Sequence, residues 1–166
     1  MPPKSAPRNV LLEELRWVHD KLRRDLATVR QLAAEVEAGA GAGAVAAQLR
    51  TLQAKGPLWQ LKVNCLTYCQ FVHGHHGHED ESFFPAIKRA DPSLAGVVKR
   101  LMADHVKVSD LLDEIEAAAR YLGNGDATAR TRLSAAQSAL SEHLLTHLAY
   151  EEDALGPVLA TMSGRR

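Results

Sequence analysis

A chain of 166 residues with 20 basic and 20 acidic side chains carries no formal net charge, which argues against a nucleic-acid binder or a protein held on an anionic membrane. No apolar run approaches the ~20 residues needed to cross a bilayer. The opening MPPKSAPRNV lacks the apolar core of a secretory leader, so a cytoplasmic location is expected, and the length suits one continuous core.

In chain order, residues 1–8 read as a Pro-rich disordered tail and residues 9–162 as a single helical domain. Leu12, Leu15, Leu22, Leu26 and Val29 recur at steps of three, four and seven, which predicts a first helix over 9–37 with His19 inside the apolar stripe. The segment AGAGAGAVAA at 38–47 has no side chains to anchor it and reads as a flexible connection into a short helical lead-in. Pro57 marks the first turn of a second helix running to about Phe83, with Pro85 as its stop.

Asp91-Pro92 pairs an N-cap with a proline in the first turn, so a third helix starts there. It carries Val98, Leu101, His105, Val108 and Leu112 on one stripe and ends at GNGD, 123–126. Asp126 is positioned to cap a fourth helix, which turns Leu133, Leu140, Leu144 and His147 inward and gives way near Gly156-Pro157. No segment alternates with period two. The expected fold class is therefore all-α, an antiparallel up-and-down four-helix bundle.

Two eleven-residue segments repeat each other, HHGHEDESFFP at 75–85 and HLAYEEDALGP at 147–157. Each opens on a histidine and places a glutamate four residues later, so imidazole and carboxylate stack on one helix face. With the two lone stripe histidines the order becomes His19, then His75 and Glu79, then His105, then His147 and Glu151. The result is a pseudo-twofold set in which each half offers two nitrogens and one carboxylate. A buried imidazole needs a hydrogen-bond partner and a buried ionised glutamate costs several kcal/mol unless compensated. A metal ion answers both needs, and this donor mixture suits iron, zinc, manganese or copper.

The remaining carboxylates, Asp80, Glu81, Glu152 and Asp153, read as a solvated helix face. Measured from His75 at 100° per residue, His73 and His76 point away from the core and His78 sits on its edge. His143 lies one turn before His147 and stays open as a further nitrogen ligand or as a gate at the bundle end, while Tyr68 and Tyr150 stay open as additional ligands or as packing. Cys65 and Cys69 share a face away from the His75 direction and read as buried thiols.

The two repeats and the lone histidines resemble the hemerythrin-like (HHE cation-binding) family over about residues 10–160. The resemblance implies a hemerythrin-like bundle around two non-haem iron ions, bridged by carboxylate and by oxo or hydroxo groups, with His19, His75, Glu79, His105, His147 and Glu151 as ligands. Two departures bear on activity. Oxygen-carrying hemerythrins place a second histidine four residues after the third-helix ligand, where this chain has Ser109, and use His-x4-Asp on the fourth helix, where it has His-x3-Glu. Fewer imidazoles and more carboxylate favour ferric iron over reversible oxygen carriage. The resulting expectation is catalase-like disproportionation of hydrogen peroxide in oxidative-stress defence, with His78, His143 and Tyr68 as proton donors. The alternatives are a module that binds or senses oxygen or nitric oxide, and an iron buffer without turnover. Expected partners are a small ligand (peroxide, dioxygen or nitric oxide) and neither nucleic acid nor membrane, with a monomer preferred.

Overall fold

Leucine and valine at helical spacing produce helices wherever the sequence pattern demands them. The computed structural model describes residues 8–38, 57–123 and 127–164. The expected disordered tail at 1–8 (apart from Arg8), the flexible Gly/Ala connection and the Asp126 cap lie outside those residues. Helix α1 spans Val10–Ala38, α2 Pro57–His78, α3 Phe84–Ala90, α4 Ala95–Arg120 and α5 Ala127–Ser163. A π-helical turn, Glu79–Phe83, joins α2 to α3 without a break, so these two make one rod of a four-rod bundle.

Helix α1 packs on α2 and α5, and α4 packs on the same two, closing a ring of four neighbours. Pairings between neighbouring rods run antiparallel. Tyr68 meets Leu22 in the middle of α1, Cys69 meets Leu112, and Asn9 at the start of α1 reaches Gly156 near the end of α5.

Two proline expectations are corrected. Pro85 does not stop the second helix. The Phe84 N–H donates to the Glu79 carbonyl five residues back, so the backbone widens by one residue just ahead of the proline. The ladder thus changes register where a donor is missing anyway, and the wider turn gives the ring space that a regular α-turn denies it. Nor does α5 give way at Gly156-Pro157, for it continues to Ser163. Leu155, Val158 and Leu159 are buried around the proline, and the Asn9 side chain donates to the Gly156 carbonyl at 2.9 Å, so tertiary packing holds the last turns. Gly156 faces α1 so closely that a Cβ there would lie 3.6 Å from Leu12.

Other boundaries fall where the sequence places them. The Asp91 side chain accepts from the Ser93 N–H at 3.0 Å and starts a 3₁₀ turn, Pro92–Leu94, that feeds α4. Helix α4 ends in a turn closed by Gly123 at φ 94°, a left-handed conformation that only glycine adopts at little cost.

The core is built in two apolar layers. One contains Leu22, Leu26, Leu61, Val72, Leu112, Leu140 and Leu144, and the other Leu15, Phe84, Ile87, Leu101, Leu155 and Leu159. Along every rod the switch from one layer to the other falls at the histidines: Leu15, His19, Leu22 on α1 and Leu101, His105, Val108 on α4. A polar slab is thereby clamped between two greasy ones. Each fully buried leucine contributes ~1.5–3 kcal/mol, so the layers offset a slab whose buried ionisable groups cost several kcal/mol apiece.

Candidate metal centre

Four rods bring all six sequence-predicted ligands into the polar slab. His19, Glu79, His105, His147 and Glu151 are buried, and His75 is nearly so. Glu79 occupies the middle. Its Oε1 lies 2.8 Å from His75 Nε2 and 3.9 Å from His19 Nε2, and its Oε2 lies 3.2 Å from His105 Nε2. Glu151 Oε2 lies 3.5 Å from His19 Nε2 and 3.6 Å from His147 Nε2. Each glutamate therefore approaches histidines from both halves of the bundle.

These contacts are close without being hydrogen bonds. Both carboxylate oxygens of Glu79 and of Glu151, together with Nε2 of His19, His75 and His76, are fully buried and have no hydrogen-bond partner. Leaving such a group unsatisfied costs ~1–3 kcal/mol each, more when it is charged. Seven orphaned donor or acceptor atoms converging on one slab fit a metal centre and fit an apolar core poorly.

Orientation comes from a second set of carboxylates. His19 Nδ1 lies 2.9 Å from Glu152, His105 Nδ1 2.8 Å from Asp80, and His147 Nδ1 3.2 Å from Asp104. A carboxylate accepts, so each Nδ1–H donates and each Nε2 is left with its lone pair facing inward. The arrangement passes from rod to rod: the π-helical turn after α2 holds the imidazole of α4, α4 that of α5, and α5 that of α1. Arg23 in turn holds Glu152 at 2.9 Å. His105 Nε2 and His147 Nε2 also meet at hydrogen-bond distance, 3.0 Å, so the two nitrogens converge on one point of the slab.

The solvated-face reading of Asp80 and Glu152 is thus corrected. Both reach across a groove to a neighbouring rod, and only Glu81 and Asp153 face solvent. His76 is corrected too. It is 5% exposed, its ring stacks on His105 at 3.8 Å and 9°, and it meets His147 at 5.3 Å. Helix α2 packs against both α1 and α4, so its inward arc is wider than a wheel centred on His75 allows, and adjacent histidines serve opposite neighbours. Ligand atoms of His76, Glu79, His105 and His147 lie within 4.8 Å of one another, as do those of His19, His75 and Glu79. These two groups of donors, each able to hold a metal ion, share Glu79.

Electrostatics separate the two glutamates. Burial alone would raise Glu79, but a proton on any of the His105, His19 or His75 nitrogens that face it holds its carboxyl well below the usual range. Burial and the negative charge of Glu79 push Glu151 well above that range. Burial, followed by the neighbouring His105, lowers His147 to about 4, and burial lowers His76 to about 2. These are neutral imidazoles with free lone pairs, the form a metal takes.

Residues 10–159 match the Hemerythrin HHE cation binding domain. The chain belongs to that family. No curated protein and no solved structure matches it significantly. Membership makes this a cation-binding helical bundle, and the sequence expectation of a hemerythrin-like fold is met by its four antiparallel rods. Among the described residues no helix is long and apolar enough to cross a membrane.

The three expected proton donors are placed differently from one another. The Tyr68 hydroxyl donates to the Leu22 carbonyl at 3.2 Å, and burial pushes its pKa above the usual phenol value, so its proton is committed to the backbone. His78 is exposed. His143 is exposed on the rim of a cleft of about 350 Å³ between α4 and α5, which His147, Asp104 and Arg100 also line. Tyr150, the other open phenol, packs against Arg100, whose guanidinium carbon stands 3.7 Å above its ring. Cys65 and Cys69 are buried, and their thiols are pushed up to about 12 by that burial, which keeps them inert.

Asp104 was missed at the sequence level, although it directly precedes His105. Asp104→Ala removes the acceptor for His147 Nδ1 and should weaken cation binding by about 10–100-fold while all six glutamate and imidazole donors remain. A chelator-competition titration measures this, and unchanged affinity would remove the orienting role.

Proposed function

We propose that this HHE protein holds two iron ions, one toward His19 and His75 and one toward His105 and His147, with Glu79 and Glu151 between them, and that it disproportionates hydrogen peroxide. The observation that carries the dinuclear part is the position of Glu79, whose two oxygens address different histidine sets and carry no hydrogen bond. When bound, the two ions supply Lewis acidity and a store of two electrons, which is what converting two peroxides into two waters and one dioxygen requires.

The chain's own residues supply access and protons. A cleft of about 320 Å³ between α2 and α4, lined by His76, His105 and Ser109, brings solutes the size of peroxide to one side of the slab. The cleft rimmed by His143 reaches the His147 side. Ser109 stands where oxygen carriers place an imidazole on the same helix, and this departure from the oxygen-carrier ligand set supports consumption of a small oxidant over its storage. Glu79 and Glu151, set between the two histidine sets, are suited to shift between holding the ions and accepting a proton during turnover. His143, beside the cleft, is suited to exchange that proton with solvent. Cytoplasmic peroxide defence is the setting this activity fits.

The experiment is direct. Iron-loaded protein given hydrogen peroxide is expected to evolve oxygen over many turnovers, recorded with an oxygen electrode. A reduced form that takes up dioxygen and releases it reversibly under argon would replace this reading with carriage or sensing.

A further inference from the structure

We propose that His76 is a further metal ligand, completing the coordination of the ion held by His105 and His147 and filling the place left by Ser109. The inference rests on the dinuclear reading above.

Adjacent residues on a helix diverge by about 100°. On α2, which lies between α1 and α4, this sends His75 toward His19, with ring centroids 5.4 Å apart, and His76 toward His105 and His147. Its Nε2 is fully buried and has no hydrogen-bond partner, although its ring is packed on two sides by imidazoles. That nitrogen belongs to a buried group of four donors with Glu79, His105 and His147. Among the described residues no other group pairs with it. A structural histidine at 5% exposure would pair its nitrogen with a carbonyl, a carboxylate or a hydroxyl, as His19, His105 and His147 do through their Nδ1 atoms.

Ser109 explains why the position is needed. It lines the same cleft as His76 and His105, one helical turn beyond His105 on α4, and its short hydroxyl replaces a long imidazole. With His76 included, the α4/α5 ion gains a third nitrogen from α2. The imidazole lost from one rod is thereby supplied by its neighbour across the groove. In consequence the two ions are inequivalent: the α1/α2 ion keeps two imidazoles, and the α4/α5 ion has three.

The test compares the full-length chain with His76→Gln, titrating metal-free protein with Co²⁺ while recording the visible spectrum, and with Fe²⁺ against a competing chelator. Wild-type chain is expected to bind two ions of unequal strength. The His76→Gln chain should bind one of them about tenfold or more weakly, with a changed cobalt band for that ion alone and unaltered helicity by circular dichroism. The double variant His76→Gln/Ser109→His should recover affinity and band, because an imidazole returns from α4, and this recovery separates ligation from packing. Two ions bound by His76→Gln with wild-type affinity and spectrum overturn the assignment of His76 and leave the dinuclear reading standing. A wild-type chain that takes up only one ion overturns both.

Discussion

Glu79→Ala is expected to take bound iron from two ions per chain to one or none and to abolish oxygen evolution from peroxide. Its carboxylate approaches imidazoles from three rods: His19 on α1, His75 one turn back on its own rod and His105 on α4. Removing it leaves the α1/α2 half without a carboxylate of its own and leaves two cations at short range with only Glu151 to offset their repulsion. The same substitution at Glu81, two residues on and exposed, should leave iron content unchanged. Metal analysis of the purified variants decides the matter. Two irons retained in Glu79→Ala would falsify the bridging assignment.

In the metal-free protein, His147 and Glu151 are expected to drive stability in opposite directions with pH. His147 titrates at about 4 when folded and near 6.5 when unfolded, so its contribution is complete above about 6.5 and is lost as pH falls toward 4. A shift of that size corresponds to ~3 kcal/mol, a large share of a small domain's stability. Glu151 has the opposite sign. Its folded value lies well above the unfolded one, so the folded state holds the extra proton and stability falls as pH rises through that folded value. Urea unfolding of metal-free His147→Gln should therefore show a flatter acid limb. Metal-free Glu151→Gln should be more stable than wild type at pH 8, with the gap closing as pH falls. If Glu151→Gln is instead destabilised at pH 8, the buried carboxyl is not the strained group described here. Iron binding should release a proton from Glu151, because two cations favour its ionised form.

These effects share an origin in the polar slab. The two apolar layers exclude water from it, and exclusion is what depresses His147 and His76, raises Glu151 and leaves seven polar atoms without partners. The carboxylates on Nδ1 then decide which nitrogen faces inward. Binding of a cation thus relieves a set of penalties that folding has already imposed, and the site is organised before the metal arrives.

Much of this was legible in the sequence because helical periodicity is a local property. The spacing of Leu15, His19, Leu22 and Leu26 fixes one face of α1 whatever it packs against, and His-x3-Glu stacks two donors on any α-helix. All six expected ligands fell in the slab on that basis alone. The misplaced residues were those whose role depends on a neighbouring rod. His76 is outward on a wheel with a single inward direction, yet α2 has two inward neighbours. Asp80, Asp104 and Glu152 look like surface charge until the rod across the groove presents an imidazole 2.8 to 3.2 Å away. Pro85 and Pro157 read as helix ends, because proline removes a donor, but a π-turn absorbs the first and buried leucines with Asn9 hold the second.

By itself the sequence determined four amphipathic rods, their histidine order and the carboxylates in register with two of them, since each follows from the 3.6-residue period and from the need of buried ionisable groups for compensation. Only the tertiary structure decided which nitrogen of each imidazole faces inward, which second carboxylate holds it there, and that His76 joins the α4/α5 half. Those outcomes turn on contacts of a few ångströms between rods distant in sequence, and on which rods are neighbours in the ring.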